Sequence, residues 1–315
     1  MPNKRLKIYV AGHRGLVGSA IVRHIENVGL HTWIGASRDE LDLCDRTAVF
    51  DFISQHKPDG VIIAAAKVGG MYANIEFPVE FLSENIQIQT NLMDAAHKFD
   101  VENLVFLGSS CIYPKFAPQP ISEESLLTGQ LEETNEAYSI AKIAGVKLVQ
   151  AYRKEFGRTW TSAMPSNLYG PEDNFDPQTS HVLPALIRKF HEARVSGVES
   201  VTLWGSGRPR REFLHVDDLA KAVLFMLRGY DEATAINVGT GVDLEIRELA
   251  ILIAEVTGYN AQINWDTSKP DGTPRKLLDV GRINNLGWNS EITLEQGLNT
   301  TYSWFVDALA TGNVR

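Results

Sequence analysis

Apolar runs and amphipathic stretches alternate through the first half of the chain. Short apolar runs that end at small residues predict buried strands, and apolar positions that recur every three or four residues predict helices. The pattern predicts strands at 7–12, 31–36, 60–66 and 103–109, helices at 16–29, 83–99 and 136–156, and a further strand that begins within 159–170. This alternation is typical of an α/β fold with a doubly wound parallel sheet.

The pattern becomes irregular after residue 170, where four prolines mark loops. One further strand, turn and helix is predicted at 235–256. We therefore predict a Rossmann-type NADP-binding domain that is interrupted by a smaller, interleaved α/β substrate-binding lobe. The predicted bounds are 1–168 and 212–242 for the nucleotide-binding domain, and 169–211 and 243–315 for the lobe.

Composition narrows the range of partners. The chain has 315 residues, of which 44% are hydrophobic and 22% charged, as in a globular protein that can bury a sizeable core. The net charge of −9 argues against a nucleic acid as partner, and no apolar run approaches the roughly 20 residues of a membrane span. The two cysteines form no disulfide framework and no metal-binding motif, so we expect a protein without a metal. The apolar run near the N-terminus is too short for a signal peptide, so we expect a cytoplasmic protein.

A glycine-rich turn lies between the first predicted strand and the first predicted helix. Glycine suits a backbone that turns tightly and approaches a pyrophosphate, which the N–H groups at the start of the helix then bind. The second strand is followed by Arg38, where an NAD site would offer a carboxylate to the ribose, so a 2′-phosphate is favoured and the predicted cofactor is NADP(H). The cofactor-binding residues predicted from this turn are Gly12, His13, Arg14, Gly15, Leu16, Val17 and Gly18.

Tyr138 and Lys142 lie four residues apart and so share one face of the predicted helix. A free phenol, with a pKa near ~10, transfers protons poorly at neutral pH, and a neighbouring ammonium would stabilise the phenolate. Ser109, at the end of the preceding strand, can hold a substrate carbonyl oxygen beside Tyr138. These three residues predict a carbonyl reductase site.

Blocks along the whole chain resemble the extended short-chain dehydrogenase/reductase superfamily and, within it, the GDP-L-fucose synthase family. They include "AGHRGLVGSAI", "FLGSSCIYPK", "TNEAYSIAKIAG", "WGSGRPRREFLHVDD" and "SKPDGTPRKLLDV", in that order. The resemblance implies a homodimer that epimerises GDP-4-keto-6-deoxy-D-mannose at C3 and C5 and reduces C4 with NADPH. It also implies further cofactor-binding residues: Leu107, Gly108, Ser109, Ser110, Lys142, Pro165, Ser166, Asn167, Leu168 and His181.

The resemblance assigns the two inversions to Cys111 and His181. Dehydratases of the same superfamily carry an Asp-Glu pair where this chain has Ser110-Cys111, so the acid and base of dehydration are missing. C3 and C5 are both alpha to the C4 ketone, and inversion needs a base on one face and an acid on the other. Which of the two residues is the base stays open, as does the alternative that Cys111 is only a buried filler.

Four residues of the predicted lobe suit the GDP part of the substrate. The charges of Lys189 and Arg211 suit the diphosphate, Trp204 could pack on guanine or ribose, and Asp271 could accept a hydroxyl. Two alternatives remain: a different nucleotide-sugar epimerase or reductase, and an NADP-binding sensor without catalysis.

Overall fold

The computed structural model describes residues 4–177, 179–269 and 271–314. The structure has twelve strands and ten helices in these residues, and three short 3₁₀ turns that follow β4. The strands are β1 Lys7–Ala11, β2 Thr32–Ile34, β3 Gly60–Ile63, β4 Asn103–Leu107, β5 Thr161–Pro165, β6 Asn167–Tyr169, β7 Ser200–Trp204, β8 Arg210–His215, β9 Ile236–Val238, β10 Asp243–Glu245, β11 Gln262–Asp266 and β12 Arg275–Lys276. The helices are α1 Leu16–Val28, α2 Arg46–His56, α3 Met71–Glu76, α4 Pro78–Lys98, α5 Glu136–Phe156, α6 Val182–Ser196, α7 Val216–Gly229, α8 Ile246–Thr257, α9 Gly281–Asn285 and α10 Leu294–Thr311.

The central sheet has six parallel strands in the order β2-β1-β3-β4-β5-β9. Its inner strands are apolar at nearly every position, because helices cover both faces of a parallel sheet. This sheet confirms the predicted α/β fold class. The carboxyl ends of its strands lie at one edge, where ligands bind in open sheets of this kind.

The remaining strands form two small sheets. In one, β8 lies between β10 and β12 and also pairs with β6; in the other, β7 pairs with β11. The hydrophobic side chains form two clusters, one around the parallel sheet and one among α6, α8, α10 and the small sheets. Leu278, Val280 and Ile283 pack with the first cluster, and the domain bounds given above stay a prediction.

Most of the predicted elements agree with the structure. Helix α5 agrees with the predicted bounds, and α1 ends at Val28, one residue before the predicted end, where Gly29 has the left-handed φ of 68° of a C-terminal glycine. Helices α2 and α3 were not predicted, and the segment after residue 170 is more regular than expected, since it contains α6, β7, β8 and α7.

Candidate active site

The glycine-rich turn has the open backbone that a dinucleotide needs. Gly12 has a φ of 84°, and a Cβ added there would lie 2.8 Å from Cα of Ala65. A Cβ on Gly18 would overlap with the carbonyl oxygen of Gly12, so the turn and α1 approach each other without side chains between them. No side chain caps the first N–H groups of α1 at Gly15, which leaves them free for an anion.

Arg38 and Ser37 follow β2 beside this turn. The carboxylate of Glu40 accepts hydrogen bonds from the backbone N–H of Ser37 (2.7 Å) and from its hydroxyl (2.8 Å). The guanidinium of Arg38 is exposed and lies 3.7 Å from the carboxylate of Glu84 on α4. Arg14 is close enough to Glu40 and His13 to influence the pKa of both. Two cations therefore flank the end of β2.

The other predicted cofactor residues lie at the same sheet edge. Leu107, Gly108 and Ser110 are at the end of β4, and the segment Pro165, Ser166, Asn167 and Leu168 runs from the end of β5 into β6. Two buried polar atoms, Nδ1 of His13 and Oγ of Ser166, have no hydrogen-bond partner among the described residues. The side-chain-free turn and these unpaired atoms fit a bound dinucleotide.

Ser109, Tyr138 and Lys142 meet where β4 ends against α5. Lys142 is 3% exposed, and its Nζ donates to the carbonyl oxygen of Leu107 at 2.8 Å. The same Nζ lies 5.8 Å from the centroid of the Tyr138 ring, and Phe81 packs edge-on against that ring at 6.3 Å. The three side chains that the sequence singled out are thus brought together.

The electrostatics of this group differ from the expectation. Burial and then the charge of Cys111 raise the pKa of Tyr138, and a hydrogen bond with Ser109 only partly opposes them. Burial lowers the pKa of Lys142 to about 7. The low-dielectric surroundings disfavour both charged forms, so the structure shows no lowering of the phenol pKa by the ammonium, contrary to the expectation. A raised pKa makes Tyr138 a weaker acid, so it can give up its proton only to an oxygen that is gaining negative charge.

Cys111 is half-buried in the 3₁₀ turn Ser110–Ile112. Its Sγ accepts hydrogen bonds from Nδ2 of Asn135 (3.3 Å) and Nζ of Lys276 (3.4 Å). Burial raises the pKa of the thiol, but the charge of Lys276, hydrogen bonds with Ser109 and Lys276, and the charge of Arg211 outweigh it, so the pKa lies below its ordinary value. A plain buried filler would have apolar neighbours instead.

His181 is the N-terminal cap residue of α6, but its ring makes no capping hydrogen bond. The residue is exposed, so its ring is not part of the hydrophobic core. Partial loss of water around the ring, and then the charge of Lys276, lower the pKa of the imidazole. His181 and Cys111 therefore both lie within the electrostatic reach of one ammonium.

The four residues assigned to GDP lie on β7, β8, α6 and the loop before β12. Trp204 is 73% exposed, with Nζ of Lys269 over its ring at 5.4 Å. The carboxylate of Asp271 accepts hydrogen bonds from N–H and Oγ of Ser206, and so fixes the turn that follows Trp204. Nζ of Lys189 donates to the carbonyl oxygen of Thr202, and Nη1 of Arg211 donates to that of Arg210.

Sequence reasoning missed Lys276 and Asn135, although both lie inside the family-like blocks "PRKLLDV" and "TNEAYS". Asn135 is just before α5, three residues from Tyr138, and its Oδ1 accepts a hydrogen bond from Oγ of Ser139. Lys276 is 165 residues from Cys111 along the chain, so no local spacing could have linked the two.

Comparison with known families defines the class of protein. The model of the "NAD dependent epimerase/dehydratase family" matches residues 8–239. The chain belongs to this family.

Among residues 4–177, 179–269 and 271–314, no helix is long and apolar enough to cross a membrane.

Individual relatives narrow the class. GDP-L-fucose synthase 1 of Arabidopsis thaliana is 55% identical over 97% of this chain and 95% of its own length. GDP-L-fucose synthase of Escherichia coli (strain K12) is 53% identical over 96% of this chain and 97% of its own. The structure of a GDP-L-fucose synthetase from Naegleria fowleri bound to NADP has a TM-score of 0.89 and 28% identity, and the match covers 98% of this chain and 96% of that one. These relatives confirm the resemblance to GDP-L-fucose synthases.

Proposed function

We propose that this chain converts GDP-4-keto-6-deoxy-D-mannose into GDP-L-fucose, by inversion at C3 and C5 and reduction at C4. The observation that carries the proposal is the position of Cys111 beside the serine, tyrosine and lysine set: its backbone N–H donates to Oγ of Ser109 (3.2 Å), and Nζ of Lys276 donates to its Sγ (3.4 Å). A simple reductase needs only that set, whereas a base beside it serves proton removal next to a ketone. The similarity to GDP-L-fucose synthases along nearly the whole chain supports the same function.

Inversion requires that one C–H bond breaks on one face and forms on the other. We assign these two steps to Cys111 and His181, one as base and the other as acid. Ser109 and Tyr138 hold the ketone oxygen, which carries negative charge while the carbon is deprotonated. Each centre regains one proton, so inversion consumes no cofactor.

Reduction follows at C4. A bound NADPH supplies the hydride. Tyr138, which holds its proton at neutral pH, gives it to the ketone oxygen as that oxygen gains negative charge and the alcohol forms. The choice of NADPH over NADH rests on Arg38, with Arg14 beside it, since a guanidinium fork matches the oxygens of a 2′-phosphate.

The substrate would lie between the sheet edge and the small sheets. Arg211 and Lys189 carry the charge for the diphosphate, and the exposed ring of Trp204 offers a surface for guanine or ribose. The proposal includes a cytoplasmic homodimer, as the resemblance implies. Sedimentation velocity, which should give about twice the mass of the chain, tests that part.

The test combines cofactor consumption with product stereochemistry. With GDP-4-keto-6-deoxy-D-mannose, the protein should oxidise NADPH, and the isolated product should be GDP-L-fucose by NMR. If NADPH is oxidised but the sugar product keeps the starting configurations at C3 and C5, the protein is a reductase only, and the epimerase half of the proposal is refuted. No oxidation with this substrate would refute the proposal, and competition by UDP rather than GDP would favour another nucleotide sugar.

A further inference from the structure

Two cationic side chains of one small sheet influence Cys111. β12 runs parallel to β8, and the register pairs Lys276 with Arg211. Residues in register on neighbouring strands point to the same face of a sheet, and the charges of both residues lower the pKa of Cys111. This face meets the turn that carries Cys111, with Nζ of Lys276 3.4 Å from Sγ.

The backbone at Lys276 is tied to the segment that follows Cys111. The carbonyl oxygen of Leu277 accepts from N–H of Ile121 (2.8 Å), and N–H of Leu277 donates to Oε1 of Gln119 (2.8 Å). On the other side, N–H of Leu278 donates to the fully buried carboxylate of Glu212, next to Arg211 (3.0 Å). These contacts fix the backbone of β12 relative to the segment that follows Cys111.

Few groups compete for this ammonium. In the described part of the chain, no carboxylate lies within ion-pair distance of Lys276. The titratable and charged groups around Cys111 are Lys276, Arg211, Tyr138 and, through Lys276, His181, while Ser109 and Asn135 contribute hydrogen bonds. Glu132 influences Arg211, and its own carboxylate pairs with Lys115 at 3.1 Å.

We propose that Lys276 is a positioning residue for inversion, whose ammonium holds Cys111 as a thiolate before the substrate binds. A buried thiol without a cation would keep its proton, and a thiol cannot accept another. The lowered pKa of Cys111 agrees with this geometry. The inference rests on the proposed function for its purpose, but the charge state of the sulfur can be measured without substrate.

The experiment follows alkylation of Cys111 by iodoacetamide as a function of pH. Only the thiolate reacts, so the inflection of the rate reports the pKa of Cys111. A Cys44→Ser background removes the other thiol, and mass spectrometry of the Cys111 peptide measures the rate. Lys276→Met is compared with Lys276→Arg, which keeps the charge, and with Lys147→Met, which removes an exposed lysine from α5 and so makes the same change in net charge.

Lys276→Met should raise the inflection by about one pH unit or more, and slow alkylation below the inflection about tenfold per unit. Lys276→Arg and Lys147→Met should keep the inflection within about 0.3 of the background protein, allowing for a changed reach of the arginine. An unchanged inflection in Lys276→Met would overturn the proposal. So would an equal rise in Lys276→Met and Lys276→Arg, because shape and not charge would then set the pKa.

A measurement without substitution of Lys276 guards against misfolded variants. The ultraviolet absorbance of thiolate is titrated in the Cys44→Ser protein and in the same protein with Cys111→Ser. Their difference should show an inflection below the ~8.5 of a free thiol. A value at or above that would overturn the proposal, even if the protein makes GDP-L-fucose. If the inflection is lowered but the protein makes no GDP-L-fucose, the proposal for Lys276 is supported and only the proposed function is refuted.

Discussion

Replacement of Lys142 by methionine should stabilise the cofactor-free protein while it removes reduction. The unfolded chain holds the lysine proton up to about pH 10.5, whereas burial lets the folded chain release it near pH 7. The gap of about 3.5 pH units, at about 1.4 kcal/mol per unit, corresponds to a cost near 4–5 kcal/mol at neutral pH. The lost hydrogen bond to Leu107 and the contacts of Nζ with the Phe106 and Tyr138 rings offset about 2 kcal/mol. Lys142→Met should therefore raise the free energy of unfolding by roughly 2–3 kcal/mol at pH 7.

The pH dependence separates this cause from better packing. The folded pKa of Lys142 lies below the unfolded value, so between about pH 7 and 10.5 only the unfolded chain binds the proton. The free energy of unfolding of the unsubstituted protein should then rise with pH relative to the variant. Between pH 7 and 9 the advantage of Lys142→Met should shrink by about 2 kcal/mol.

Urea unfolding at equal protein concentration, at pH 7, 8 and 9, measures the difference. Lys147→Met, on the exposed side of the same helix, serves as the matched control and should gain little. An advantage that stays constant or grows with pH would refute the reasoning, since it would show that Lys142 is charged in the folded protein over this range. Reduction of the keto-sugar should be lost at every pH.

Four further outcomes follow from the structure. Tyr138→Phe should abolish reduction and leave the affinity for NADPH nearly unchanged in a fluorescence titration; a collapse of affinity would make the residue structural. Cys111→Ser should slow deuterium exchange at C3 and C5 by orders of magnitude, because a hydroxyl is too weakly acidic to act as the base, and any reduced product should keep its starting configurations; near-normal GDP-L-fucose formation would refute the role of the thiol. Arg38→Asp should weaken NADPH far more than NADH, and equal losses would show that Arg38 does not contact the 2′-phosphate. Asp173 is buried, its Oδ2 has no hydrogen-bond partner among the described residues, and burial raises its pKa to about 7. The folded protein therefore holds a proton on Asp173 that the unfolded chain releases, so the stability of the unsubstituted protein should fall relative to Asp173→Asn as the pH rises from about 4 to 7. Melting temperatures of the two proteins that change in parallel over that range would contradict this.

The parallel sheet could be predicted because its signals are local. The apolar run of β1, the glycine turn and the helix that ends at Gly29 lie within about 25 consecutive residues, and each has the period of its own element. Helix α5 was predicted close to its observed bounds because its apolar positions are regular and Gly157 ends it with a left-handed φ of 68°.

The small sheet around β8 could not be predicted in the same way. β10 and β12 have only three and two residues, too few for a period to show, and they pair with β8 from positions over 30 residues away. The contact of Lys276 with Cys111 depends on this pairing. Spacing located Ser109, Tyr138 and Lys142, but the pKa values of the last two depend on burial, which a linear pattern does not give.

The distance of 165 residues between Cys111 and Lys276 has a consequence for biosynthesis. Ser109, Tyr138 and Lys142 leave the ribosome early, and β9 completes the parallel sheet by Val238. The strand that carries Lys276 follows only after about 35 more residues have been translated. A chain that ends anywhere before Lys276 would therefore carry Ser109, Tyr138 and Lys142 but lack the ammonium beside the thiol of Cys111.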